Sequence, residues 1–198
     1  MKILKKFLFA FFIITLSTKY TFAKDPSLFI SEITESASAI LKTDISIDEK
    51  ENKLIKIAEE NVDIDGIGLY SLGKHRKSID VNKLKKYKIV FREYFLKSFS
   101  SRLSQYSDPK IIVVSQNVIN EKYTIVSSIL VETNERPEIK IDWRVYTKDP
   151  DKPLVRDLII EGLSLARTQK EEFNSVIQSA EGDVNVLLQN LESFNNKL

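Results

Sequence analysis

The hydrophobic period of this chain changes at Asp108-Pro109, and that change decides what the chain can fold into. Upstream, apolar residues recur every three or four positions, the spacing of a helix face. Downstream they form β-branched runs and alternations, the pattern of strands. The strongest helical signal covers Val81 to Ser104, where Leu84, Tyr87, Phe91, Tyr94, Phe95, Phe99 and Leu103 make an unusually aromatic stripe. Such a stripe is either a core-facing surface or one wall of an apolar cavity, and periodicity does not separate the two. Two helices are predicted before it. The first is opened by Pro26 and runs through Lys42 on Leu28, Ile33, Ala37, Ile40 and Leu41. The second covers Asp48 to Asn61 on Leu54, Ile55 and Ala58. Asp63-Ile64-Asp65-Gly66-Ile67-Gly68 then breaks the pattern.

Past Pro109 four sequential antiparallel strands are predicted. Ile111 to Ser115 is β-branched, and Tyr123 to Val131 is so apolar that burial on both faces is expected. Glu138 to Thr147 alternates cleanly. Ile139, Ile141, Trp143 and Val145 face one way, and Glu138, Lys140, Asp142, Arg144 and Tyr146 face the other. Leu154 to Glu161 is the fourth run, and Gly162 ends it. The connectors 117–122, 133–137 and 148–153 carry Asn, Asp and Pro and are short enough for hairpins. Helices over 168–177 and 183–194 close the chain, the latter capped by Asp183. Helices before and after a curved antiparallel sheet make an α+β domain.

The first 23 residues stand apart from that domain. Lys2, Lys5 and Lys6 precede the apolar run Phe7 to Leu16, and Thr21-Phe22-Ala23 supplies a small-residue cleavage site. This is the pattern of an export signal, and ten apolar residues fall short of the roughly 20 that span a bilayer. No cysteine follows the run, so lipoprotein anchoring is excluded. The working protein is expected to be a single domain, residues 24–198, acting outside the cytoplasm. Residues 1–23 hold four of the 30 basic residues and none of the 28 acidic ones, so the remainder carries 26 against 28, a net of −2. The basic pI of 8.6 therefore belongs largely to the leader. Composition gives no support for nucleic-acid binding, which wants a strongly basic face.

Chemistry-bearing residues are few. With no cysteine, disulfides, thiol catalysis and cysteine metal sites are out. The one histidine, His75, lies among Gly73-Lys74 and Arg76-Lys77 and reads as a solvated loop side chain. Asp63 and Asp65 read as a loop or helix cap, since a calcium loop needs further oxygen donors. Asp157 and Glu161 share a face with Val155 and Ile159; turned inward, they would pair with Arg156 or Arg167 as a structural ion pair. No Gly-x-Ser-x-Gly elbow is present.

Several segments, taken in order, resemble the MlaC family of periplasmic phospholipid-binding proteins. They are Asp63 to Lys74, Phe91 to Ser107, Ile141 to Tyr146, Val155 to Leu165, and Thr168 to Phe173 leading into a leucine-rich terminal helix. The likeness spans essentially the whole chain after residue 23. It departs at His75-Arg76, where a tryptophan is expected, and in the glycines of 63–72.

The resemblance implies a soluble periplasmic carrier, not an enzyme and without a cofactor, that shelters the acyl chains of a glycerophospholipid in an apolar cavity. It implies partners as well: an inner-membrane MCE-domain ABC transporter complex and an outer-membrane lipoprotein–porin complex, between which lipid is exchanged to maintain outer-membrane asymmetry. Two acyl chains hold about 30 methylenes at roughly 0.8 kcal/mol each, a gross term on the order of 20–25 kcal/mol. A large apolar interior with few polar anchors is therefore the expectation, with the head group facing solvent and no dedicated phosphate site. Candidate lining comes from the aromatic stripe (Phe91, Phe95, Phe99, Leu103), from the strands (Val113, Leu130, Ile141, Trp143, Val145, Ile159) and from Phe173. Narrowing this interior, as by Val113→Trp, is expected to lower lipid loading. The competing readings are a carrier of a fatty acid or hopanoid, an enzyme on an NTF2-like cone with Asp157 or Tyr94 deep in its pocket, and a structural export domain with a filled centre.

Overall fold

The computed structural model describes residues 24–197; the expected export signal, residues 1–23, lies outside the described residues. Among the described residues, six helices and a five-stranded antiparallel sheet make the predicted α+β architecture. The helices are α1 (Pro26–Leu41), α2 (Ile47–Asn61), α3 (Ile64–Ser71), α4 (Val81–Leu103), α5 (Leu165–Ser179) and α6 (Val184–Asn196). A 3-10 turn at Gly73–Lys77 joins α3 to α4. The strands are β1 (Ile111–Asn120), β2 (Tyr123–Leu130), β3 (Ile139–Tyr146), β4 (Leu154–Ile160) and β5 (Leu163–Ser164), and each pairs with the next in sequence.

Local chemistry accounts for most boundaries. Asp25, Ser46, Asp80, Ser164 and Asp183 each accept a backbone N–H at the start of their helices. β1 runs five residues further than its β-branched core suggests and turns tightly at Glu121-Lys122, where Asn120 Oδ1 accepts the Lys122 N–H at 2.9 Å. Gly162 does not end the sheet. Glu161 (φ 49°) and Gly162 (φ 82°) form a two-residue turn with both φ positive, the hairpin geometry that brings β5 back onto β4.

The segment read as a break, 63–68, is helical. Asp63 caps α3 by accepting the Gly66 N–H at 2.9 Å, while its backbone N–H donates to Val155 O at 2.9 Å. The glycines serve close approach rather than flexibility. A Cβ on Gly66 would collide with the Asp63 carboxylate, and one on Gly68 would lie 2.6 Å from the Phe91 ring. Tyr87, fully buried beside that ring, donates its hydroxyl to Gly68 O at 2.9 Å.

The apolar interior is divided in two. One cluster lies among the helices and is built on Leu72, Tyr87, Phe91, Phe173, Ile177, Leu187 and Leu191. The other lies between α1 and one face of the sheet and is built on Phe29, Ile30, Val126, Val145 and Val155. Domains of this size more often have one contiguous core. Along β2 the division is visible residue by residue: Thr124, Val126, Ser128 and Leu130 are buried, while Tyr123, Ile125, Ser127 and Ile129 between them are half-buried. The expectation that β2 is sealed on both faces is therefore corrected. α1 covers one face, and the other meets helices chiefly at the β4 edge, where α3 and α5 pack.

Two substitutions test this account. Asp63→Ala removes the α3 cap and the carboxylate that Arg156 binds, and is expected to cost about 2–3 kcal/mol in urea unfolding. Asp63→Asn keeps a capping oxygen and is expected to cost about 1 kcal/mol less. Gly68→Ala is expected to destabilise by about 1–3 kcal/mol through overpacking against Phe91, seen as a lower midpoint in thermal melts.

Candidate ligand-binding cavity

A cavity of about 510 Å³ opens where α3, the 3-10 turn and α5 face the half-covered side of the sheet. Gly66, Ile67 and Tyr70 come from α3, Arg76 from the turn and Ala166 from α5. Ile119 comes from β1, Tyr123 and Ile125 from β2, Arg144 from β3, and Arg156 and Asp157 from β4. The volume is within the usual range for small-molecule sites, roughly 300–1,000 Å³. A second hollow, about 420 Å³ between α4 and α6, has the Lys86–Glu192 ion pair (2.7 Å) in its wall.

Strand pairing explains why charged residues line the first cavity. Opposite residues share a face, so the register pairs Tyr123 with Tyr146, Ile125 with Arg144 and Ser127 with Asp142 on the side away from α1. A β-bulge between Arg144 and Val145 then places Asp157 opposite Arg144 and leaves Arg156 as the additional residue on β4. Arg156 donates from Nε to Asp63 Oδ2 (2.5 Å) and from Nη1 to the Tyr123 hydroxyl (2.7 Å), and its guanidinium lies 3.6 Å from the Tyr146 ring centroid. Its hydrogen bonds to Tyr123 and Asp63 outweigh its partial burial and hold its pKa above the ordinary arginine value.

Asp157, only 4% exposed, does turn inward, but its partners differ from those expected. Its oxygens accept Ser164 Oγ–H at 2.6 Å and the Ala166 N–H at 3.0 Å, and the nearest guanidinium is Arg144 at 3.6 Å, not Arg156 or Arg167. Arg156 binds Asp63 instead. Tyr94 donates to Gln169 Oε1 at 3.1 Å; burial, with Glu172 nearby, raises its pKa, and it is not among the lining residues. His75 is buried rather than solvated, with Nε2 at 3.2 Å from Asn174 Oδ1, which ties the 3-10 turn to α5. No group of three or more metal-ligating side chains occurs among the described residues.

The sequence-predicted lining residues are distributed over three places. Phe91 and Phe173 are buried in the helical cluster, with ring centroids 6.1 Å apart, and Phe95 and Phe99 pack against it, stacked at 5.9 Å. Leu103 is half-buried near the end of α4. Val145 is in the α1 cluster, Val113 and Trp143 pack on it, and Leu130 and Ile141 are buried on that same sheet face. Ile159 is half-buried and lies opposite Asp142, on the face of the cavity. The eleven share no single surface, and none borders the 510 Å³ cavity.

The family model for MlaC protein matches residues 31–193. The chain belongs to the MlaC family. No curated protein matches the sequence significantly. A similar solved structure is that of the phospholipid-binding protein from Ralstonia solanacearum in complex with a phospholipid. It aligns with a TM-score of 0.71 and 20% identity, covering 86% of this chain and 97% of that one. At that identity the likeness shows a shared fold. No helix among the described residues is long and apolar enough to cross a membrane.

Proposed function

We propose that this MlaC-family chain binds a glycerophospholipid and carries it through the periplasm between an outer-membrane lipoprotein–porin complex and an inner-membrane MCE-domain ABC transporter, sustaining outer-membrane lipid asymmetry. The observation that carries the reading is the split interior. One sheet face is sealed by α1, and the other is left half-covered opposite a helical layer that packs mainly on itself. α4 packs on α2, α3 and α6, and its Phe95, Phe99 and Leu103 are only partly buried. Ile125, Ile129 and Ile159 are likewise partly buried on the sheet side. Acyl chains entering at the 510 Å³ cavity gain apolar surface from both layers as these part. The fully buried members of the expected lining, such as Phe91, Val145 and Phe173, stiffen the two walls from behind.

The same split favours binding over catalysis. The lining carboxylate, Asp157, is already hydrogen-bonded to Ser164 and Ala166, so it is held as a structural acceptor. The periplasmic assignment rests on the family and on the export signal read in residues 1–23. The fold likeness to a protein solved with phospholipid bound supports the ligand class.

Organic extraction of the protein purified from its native envelope, followed by mass analysis, is expected to yield a diacyl glycerophospholipid near one per chain. A fatty acid or hopanoid mass would assign a different lipophilic cargo, and an extract without lipid would end the proposal. Ile125→Trp, on the open face, is expected to lower lipid recovery about twofold or more by filling that space. A larger loss from Val113→Trp would instead place the tails on the α1 side of the sheet.

A further inference from the structure

The polar part of the cavity wall has donors without acceptors. Arg144 carries five N–H groups, yet within the described residues its contact is the 3.6 Å approach to Asp157, whose two oxygens are already occupied by Ser164 and Ala166. Arg76 is exposed at the end of the 3-10 turn and borders the same cavity, with no ion pair or hydrogen bond from its side chain among the described residues. The Tyr123 hydroxyl accepts from Arg156 Nη1, so its lone proton is left for another acceptor. Arg156 is the positioning residue here. Its Nε and Nη2 are committed to Asp63, and its plane is held over Tyr146. Three guanidiniums thus meet two carboxylates, Asp63 and Asp157.

We infer that Arg76, Arg144 and the Tyr123 hydroxyl form an oxyanion subsite that holds the phosphodiester of the bound lipid. The inference rests on the phospholipid reading above and sharpens it, because it replaces a solvent-facing head group with one anchored by the protein. Guanidinium geometry suits phosphate oxygens, which take two parallel N–H donors from one arginine. The three guanidiniums exceed the two carboxylates by one positive charge, which matches the single negative charge of a phosphodiester. Ile67, Ile119, Ile125 and Ala166 continue the same wall in apolar surface, so a phosphate seated at the arginines sets its glycerol and tails against them. Apolar tails alone do not call for these donors, and inorganic phosphate does not call for the isoleucines. A lipid phosphate uses both.

The test compares lipids that share tails but differ in phosphate. The chain without residues 1–23 is equilibrated with vesicles of phosphatidylcholine carrying either phosphatidylglycerol or diacylglycerol of the same acyl composition, and bound lipid is quantified by mass. The parent protein is expected to take up phosphatidylglycerol about tenfold or more in preference to diacylglycerol, the range that charged hydrogen bonds supply. Arg76→Gln with Arg144→Gln is expected to remove that preference while diacylglycerol uptake stays at the parent level. Tyr123→Phe, which keeps the ring beneath Arg156, is expected to reduce it partly and serves if the double variant does not fold. Equal uptake of both lipids by the parent would overturn the subsite and leave the carrier reading standing. Uptake of neither lipid, with inorganic phosphate bound at the arginines in calorimetry, would assign the site to a free anion and overturn both.

Discussion

Asp63 is the hinge pin between the two layers. Its backbone N–H bonds to Val155 on β4, one carboxylate oxygen caps α3, and the other holds the Arg156 guanidinium. Val62 beside it forms a parallel bridge to Val155, so the chain crosses from helices to sheet at this seam. A partly buried ion pair is weak evidence of stability by itself, but here the carboxylate also caps a helix and the arginine stacks on tyrosine, so its geometry is held from several sides. Because the helical layer is fastened at the β4 edge, it need not lie flat on β2 and β3. The half-covered sheet face, the divided core and the cavity between them all follow from that one-sided attachment.

How far the sequence discloses this depends on whether a contact is local. The α4 stripe is legible because each ring buries on one side of a continuous helix, and Tyr87 and Phe91 do form the centre of the helical cluster. The alternation of β3 is equally legible, but it names two faces without saying what covers either. Ile141, Trp143 and Val145 look like a cavity wall, yet α1, over a hundred residues earlier, packs on the cluster that includes Val145 and Trp143. The other side of the alternation, with Asp142, Arg144 and Tyr146, lies on the sheet face of the cavity.

The misread residues share a cause. α3 looks like a break because its glycines count against a helix, while their value lies in room for Phe91 and for the Asp63 cap. His75 looks solvated from its charged neighbours, and only the packing of α5 on the 3-10 turn buries it beside Asn174. Asp157 meets Arg144 rather than Arg156 because a bulge shifts the β3–β4 register by one residue, and a bulge has no sequence signature here. In each case a tertiary partner distant in sequence overrides a correct local rule.

The energetics of carriage bear on why polar residues border an apolar cavity at all. Moving lipid tails from water into the protein is worth on the order of 20 kcal/mol. A carrier, however, exchanges with bilayers and not with water, and hydrocarbon in a membrane is already out of water. The tail contribution therefore nearly cancels in the transfer, leaving the ordering of the chains as a cost on the protein side. What can offset that cost is an interaction that the bilayer surface offers less well. Guanidiniums fixed beside an apolar wall, offering two-donor geometry that a bilayer surface does not hold in place, would provide one. In the proposed subsite, Arg76 and Arg144 would set the balance between loading and release.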